Sequence, residues 1–178
     1  AAHVVSVTVT HPRLAPSPME PRAIAVRYHG ETDSVTIYQS TQTPHRSRAE
    51  LSRILQVDPG RLRVVAPAVG GAFGMKGSIY PEEVFAVWAA LRHKRDVKWT
   101  ATRSEEFLSA THGRGLTTSG RLAMDSDGRF IALEARVEAP VGPWLPNSGL
   151  IPGWNAARIL PSGYAIANVE MSTEVLSH

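Results

Sequence analysis

The stretch Val69–Lys76 reads VGGAFGMK and is followed by Gly77, so glycines stand at positions 70, 71, 74 and 77. Phe73 is the one bulky residue among them. Glycine is costly to order and offers nothing to pack with. A loop this bare suits a backbone that must come close to something large and polar. A short strand, Arg61–Pro67, precedes the loop, and a helical pattern opens at Pro81. Free N–H groups converge where a strand runs through a loop into a helix, which favours an anionic or polar acceptor. Two phosphate motifs do not fit. The phosphate loop needs Gly-Lys-Ser/Thr, whereas Met75 precedes Lys76 and Gly77 follows it. The dinucleotide fingerprint needs an initial Gly-x-Gly that GGAFG lacks. The residues alone leave two readings open: a loop that faces a ligand, or a tight strand-to-helix turn with none.

Other candidates are fewer. Gln42, in STQTP, stands just before a helix start, where an amide by itself reads as a group bonding backbone. Lys76 is expected to be buried and paired with Glu82 or Glu83. Arg114, in THGRG, reads by itself as a surface arginine before a strand. The seven histidines show no HExxH or paired metal spacing, and His45 and His112 read as local hydrogen-bonding groups. Asp125 and Asp127 shape a turn.

The elements that must position these residues can be read in outline. Val4–Thr10 alternates and is β-branched, as in a strand. The proline-rich segment to Pro21 is extended. Arg22–Tyr28 and Ser34–Ser40 form a hairpin around HGETD. Leu51, Ile54 and Leu55 sit at helical spacing behind Pro44, a residue suited to the first helical position. A second helix opens at Pro81 with Glu82 and Glu83 in its first turn. Val84, Phe85, Trp88 and Leu91 are its expected buried stripe. Asp96–Thr102 reads as a strand. A short helix follows, with Thr102 and Glu105 spaced as a capping box. The runs flanking DSDG form a second hairpin. Pro140–Gly163 is expected to be irregular, and Ala167–Leu176 to be a strand. The result is an α+β class with a mixed sheet, β-hairpins and two to three packed helices. No linker divides the chain, so residues 1–178 are expected to form one domain.

Composition narrows the rest. The 178 residues are 43% hydrophobic and 20% charged, with a formal charge of +3, ordinary for a globular chain with a real core. No apolar run has the length of a membrane span, no signal peptide is legible, and the cytoplasm is the default compartment. Cysteine is absent, so this chain can supply neither thiolate metal ligands nor iron–sulfur ligation. The arginines are scattered rather than clustered with aromatics, which argues against nucleic acid.

Taken in order, these motifs resemble the molybdenum-binding large subunit of the xanthine dehydrogenase, aldehyde oxidase and aerobic carbon monoxide dehydrogenase family. VGGAFGMK resembles the family loop GGGFG with its following lysine; YPEEVFAVWAAL and VKWTATRSEEF resemble the next helix, strand and R-x-E-(E/D)-F segment. PMEPRAIAVRY, STQTPHRSRAELSRIL, HGRGLTTSGRLAMDSDGRFIALE and ARILPSGYAIANVEMSTEVL match further family stretches, so the resemblance covers nearly the whole chain. It implies a molybdopterin-binding fold and a molybdenum–molybdopterin cofactor, with iron–sulfur clusters and FAD on partner chains or domains. Gln42, Gly70, Gly71, Phe73 and Gly74 would bind the cofactor. Phe73 would also flank the substrate and Arg114 orient it, and no residue here would ligate metal directly. The implied reaction is hydroxylation of an aldehyde, an N-heterocycle or carbon monoxide with water as oxygen source. Gly77 departs from the purine-oxidising branch, which carries a substrate-binding glutamate there. Family members are much longer and carry their catalytic glutamate base in a later segment. The chain is therefore expected to be a partial molybdopterin-binding domain, needing the remainder of its subunit, an iron–sulfur subunit and a FAD subunit for activity. Apolar surface left bare in isolation would favour a homo-oligomer. The alternative is a non-catalytic fragment or interaction module that binds no cofactor alone.

Overall fold

A computed structural model describes residues 1–142, 145–146 and 148–177. In chain order the elements are β1 (His3–Thr10), β2 (Arg13–Leu14), β3 (Ala23–His29), β4 (Ser34–Gln39), α1 (Pro44–Leu55), β5 (Leu62–Val65), α2 (Pro81–His93), β6 (Val97–Thr100), α3 (Arg103–Ser109), β7 (Gly113–Arg114), β8 (Thr117–Met124), β9 (Phe130–Val141), α4 (Ile151–Ile159) and β10 (Asn168–Ser177). They fall into two compact units, Ala15–Thr111 and a second made of Ala1–Leu14 with His112–His178.

The 15–111 unit holds a four-stranded sheet in the order β5-β4-β3-β6. The hairpin pairs Tyr28 with Val35 and Ile24 with Gln39. β5 lies parallel to β4, and β6 antiparallel to β3. With a side-chain period of two, this register sets Ile24, Val26, Val35, Ile37 and Leu62 on one face. They join Leu51 of α1 and Ala86, Val87 and Ala90 of α2 in the core. Each Val, Ile or Leu fully buried there contributes roughly 1.5–3 kcal/mol.

The helices are set by their ends. Pro44 and Pro81 open α1 and α2, where a missing N–H costs nothing. Thr102 Oγ1 accepts the Glu105 N–H at 3.2 Å while Glu105 Oε2 accepts the Thr102 N–H at 2.6 Å, the expected capping box on α3. The buried stripe of α2 is only partly the expected one: Val84 and Leu91 pack against the core, but Phe85 and Trp88 do not. Glu83, Ala86, Val87 and Ala90 face the sheet, and Phe85 and Trp88 are 64% and 43% exposed, stacked with ring centroids 5.5 Å apart. Small residues let the helix lie close to the strands, which turns the large rings outward. Ile54 of α1 is likewise exposed, whereas Leu51 is fully buried.

The other unit is built on the sheet β1-β8-β9-β10. β8 and β9 form the hairpin around DSDG, β1 lies antiparallel to β8, and β10 runs parallel to β9. One face carries paired charges: Arg121 with Glu134 at 3.2 Å, and Arg136 with Glu138 and Glu174. The opposite face is apolar and receives α4 at Gly153, where a β-carbon would stand 2.8 Å from that of Ala139. This helix lies inside Pro140–Gly163, the segment expected to be irregular. Its Gly, Pro and Asn content hid a helix that is stabilised by packing on β9 and β10 rather than by propensity. The described residues therefore hold four helices with mixed sheets, and no helix is long and apolar enough to cross a membrane. Pro143, Trp144 and Asn147 of the expected irregular segment lie outside the described residues.

Candidate functional site

The glycine loop runs from the end of β5 to a single 3₁₀ turn at Met75–Gly77, and α2 follows. Both of its ends are tied down. At the near end Gly70 and Glu20 exchange bonds: the Gly70 N–H donates to Glu20 Oε2 at 2.7 Å, and the Glu20 N–H donates to Gly70 O at 3.1 Å. A β-carbon on Gly70 would stand 2.6 Å from that of Glu20, so only glycine permits this approach. At the far end Met75 and Lys76 are buried, and the Tyr80 hydroxyl donates to Met75 O at 2.9 Å.

Between the anchors the chain turns outward. Gly71, Phe73 and Gly74 have φ of +94°, +51° and +87°. The N–H groups of Gly71, Ala72, Phe73 and Gly74 have no hydrogen-bond partner among the described residues. Consecutive N–H groups in such a mixed-hand turn form a concavity that accepts anions and polar oxygens. Phe73 is 74% exposed. A phenylalanine at positive φ is a strained residue, and strain of this kind gathers at functional sites.

Gln42 belongs to the same surface. Its N–H donates to Lys76 O at 3.0 Å, the Thr41 hydroxyl donates to that oxygen at 3.1 Å, and the Thr43 hydroxyl donates to Gly77 O at 3.1 Å. The STQT segment is thus laced to the 3₁₀ turn by backbone, and the Gln42 side chain is left exposed. A β-carbon on Gly77 would meet only the Gln42 amide oxygen, at 3.9 Å. The expected cofactor-binding residues Gln42, Gly70, Gly71, Phe73 and Gly74 therefore share one region of the 15–111 unit. Arg114 belongs to the other unit. It pairs with Arg13 across β2 and β7, is exposed, and has φ of +62°.

Lys76 does not pair with Glu82 or Glu83. Its ammonium donates to Glu20 O at 2.8 Å and to Glu20 Oε2 at 3.1 Å. Glu82 and Glu83 instead lie in the first turn of α2, next to Arg22. The Arg22 side chain is fully buried, 3.8 Å from the Tyr80 ring centroid, bonded to Glu106 at 3.2 Å and 3.6 Å from Glu82. Its Nη2 also donates to Ser109 Oγ at 2.5 Å. Burial pushes the Glu83 carboxyl up to about 7, although Gln39, the Tyr80 N–H and the Arg22 charge all favour its ionised form. Burial also acts upward on Glu20. There the Gly70 N–H, the Ser40 hydroxyl and Lys76 outweigh it and hold the carboxyl below its ordinary value. Glu20 and Arg22 were legible only as part of an extended PMEPR segment. Two opposite charges flanking one proline was the signal available for them.

Comparisons with known proteins match nearly the whole chain. The family model described as molybdopterin cofactor-binding domain matches residues 1–177. The chain belongs to that family. Its residues are 32% identical over 165 positions to the nicotine 6-hydroxylase large subunit of Paenarthrobacter nicotinovorans, covering 92% of this chain and 20% of that one. They are also 32% identical over 138 positions to the carbon monoxide dehydrogenase large chain of Hydrogenophaga pseudoflava, covering 78% and 17%. Among solved structures, quinoline 2-oxidoreductase from Pseudomonas putida 86 superposes with a TM-score of 0.94 at 28% identity, covering 99% of this chain and 23% of that one. The chain thus spans about a fifth of the length of these curated relatives.

Proposed function

We propose that this chain is one wall of the molybdopterin site in the large subunit of a molybdenum hydroxylase. The carrying observation is the run of unpartnered N–H groups from Gly71 to Gly74, beside the exposed amide of Gln42. The donor set fits the group: molybdopterin presents phosphate and oxygen acceptors, and this surface offers N–H donors on a backbone without side chains in the way. When bound, the cofactor supplies the redox chemistry of an oxidative hydroxylation with water as oxygen source.

The chain's own residues bind and orient. Gly70, Gly71 and Gly74 let the backbone approach. The Gln42 amide donates to an oxygen acceptor. Phe73 presents an apolar ring to the substrate, and Arg114 orients the substrate's polar end. Residues 1–178 act as a single partial cofactor-binding domain whose activity needs the remainder of the subunit, with iron–sulfur and FAD subunits as electron acceptors. The names of the two curated relatives, a large subunit and a large chain, support this reading. Aldehydes, N-heterocycles and carbon monoxide are the substrate classes, and Gly77 speaks against a purine.

The test is reconstitution. The chain is co-expressed with the rest of the large subunit, and molybdenum is measured by elemental analysis and pterin by fluorescence after acid oxidation. Stoichiometric molybdenum and pterin in the assembly, and neither in the chain alone, is the expected result. No association, or association without pterin, would overturn the proposal.

A further inference from the structure

Glu20 bonds to both ends of the glycine loop, at Gly70 and at Lys76. One of its carboxylate oxygens, Oε2, accepts from the Gly70 N–H at 2.7 Å, the Ser40 hydroxyl at 2.8 Å and the Lys76 ammonium at 3.1 Å. Its backbone takes part as well: the N–H donates to Gly70 O at 3.1 Å, and the carbonyl accepts from Lys76 at 2.8 Å. Three separate segments meet there: the end of β4 through Ser40, the start of the glycine loop through Gly70, and its closing turn through Lys76. The Lys76 side chain is wholly buried. It therefore cannot serve as a surface cation for an anionic ligand, and its charge is spent inside the loop's foundation.

We propose that Glu20 is a positioning residue: its half-buried carboxylate, with the buried Lys76 and Ser40, forms a clamp that fixes where the N–H groups of Gly71–Gly74 point. The inference rests on the reading that this loop faces the cofactor. The physical reason is closure at both ends. Gly70 and Lys76 bracket the unpartnered residues, and one carboxylate holds both brackets. Charge-assisted hydrogen bonds are roughly twice as strong as neutral ones, so a single carboxylate holding three donors can set a loop that makes few contacts of its own. The lysine next to the loop, which invites assignment to the ligand, belongs instead to the scaffold beneath it. Of the 15–111 unit, substrate and cofactor would meet only the backbone, Gln42 and Phe73.

The test is amide hydrogen exchange on the 178-residue chain. Glu20→Ala is expected to speed exchange of the Gly70 amide by about tenfold or more, the scale of one lost charge-assisted bond, while amides in α2 from Ala86 to Ala90 stay as protected as before. Glu20→Gln, whose amide oxygen still accepts, is expected to restore most of the Gly70 protection. An unchanged Gly70 amide in Glu20→Ala, or an equal rise at Gly70 and in α2, would overturn the clamp. Should Glu20→Ala not fold, Ser40→Ala and Lys76→Met probe the same oxygen from the donor side, and a Gly70 amide unmoved in both has the same force. The assembled subunit separates this inference from the reading beneath it. Glu20→Ala should lose pterin there and Glu20→Gln keep it. A loosened loop with full pterin content would sink the cofactor reading and leave the clamp standing. Lost pterin with a tight loop would sink the clamp alone.

Discussion

Phe73 holds φ of +51° with 74% of its surface exposed, so neither backbone ease nor packing accounts for it. A left-handed non-glycine residue costs roughly 1–2 kcal/mol, and an exposed ring returns little of that. Phe73→Gly is therefore expected to unfold at the same or a higher urea concentration than the parent chain. A clear fall in the midpoint would mean that the ring packs after all. In the assembled subunit the same change should lower kcat/KM if the ring flanks the substrate as proposed. Gln42→Ala is expected to shift stability by no more than about 0.5 kcal/mol, the usual effect of an exposed side chain, yet to lower bound molybdenum and pterin. Gly71→Ala tests the backbone directly. Its φ of +94° and the Pro18 β-carbon 3.2 Å from the added methyl make it destabilising by roughly 1–2 kcal/mol, read from the urea midpoint. At this scale the sequence was informative where type and position coincide: the bare loop and Gln42 could be picked out because glycine and a pre-helix amide mean something locally. The partner of Lys76 could not, because Glu20 lies far from it in sequence and reaches it only through the fold of β3 and β4.

At the scale of elements, α2 shows how periodicity fixes a helix without fixing its rotation. Two apolar stripes were available, one large (Phe85, Trp88) and one small (Ala86, Ala90), and close approach to the sheet selects the small one. The price is Glu83, carried into the core on the buried stripe. Its carboxyl, raised to about 7 from an ordinary 4.5, holds a proton in the native state that the unfolded chain has already released. Its contribution to stability is therefore present below pH 4.5 and is lost as pH rises through about 7. Glu83→Gln keeps an oxygen for the Tyr80 N–H, which Glu83 Oε2 accepts at 3.0 Å. The variant is expected to flatten the stability profile over that window and to be the more stable chain above it, by an amount on the order of 3 kcal/mol. Urea midpoints across pH decide it, and parallel profiles for the two chains would show that Glu83 titrates normally. Glu20 acts in the opposite direction. Its lowered carboxyl stabilises above the ordinary value of 4.5, and that stabilisation is lost as pH falls through the lower native value. The hairpins and the capped α3 were readable in advance because turns and caps carry their own residue signatures. α4 was not, since its support is the sheet face formed by β9 and β10.

At the scale of the whole molecule, chain order and compactness disagree. Residues 15–111 are continuous and contain every member of the buried core cluster, from Ile24 to Ala90. They also contain Glu20, Gln42, the glycine loop and Lys76. The other unit is assembled from both ends of the chain, with β1 paired to β8 across more than a hundred residues. No linker separates the two compact units in the sequence, because a unit assembled from both ends of the chain need not leave one. Residues 15–111 expressed alone are therefore expected to unfold in one cooperative urea transition and to keep the Gly70 amide protected. A chain lacking residues 1–14 should lose protection across β8, whose outer neighbour is gone, while the glycine loop keeps its own. If Gly70 exchanged freely in the 15–111 piece, the loop would depend on residues beyond that core, and the clamp at Glu20 could not be its sole foundation. If it stays protected, the glycine-loop backbone is set within one continuous segment, and on the proposed reading Arg114→Ala in the assembled subunit should alter substrate turnover and leave pterin content untouched.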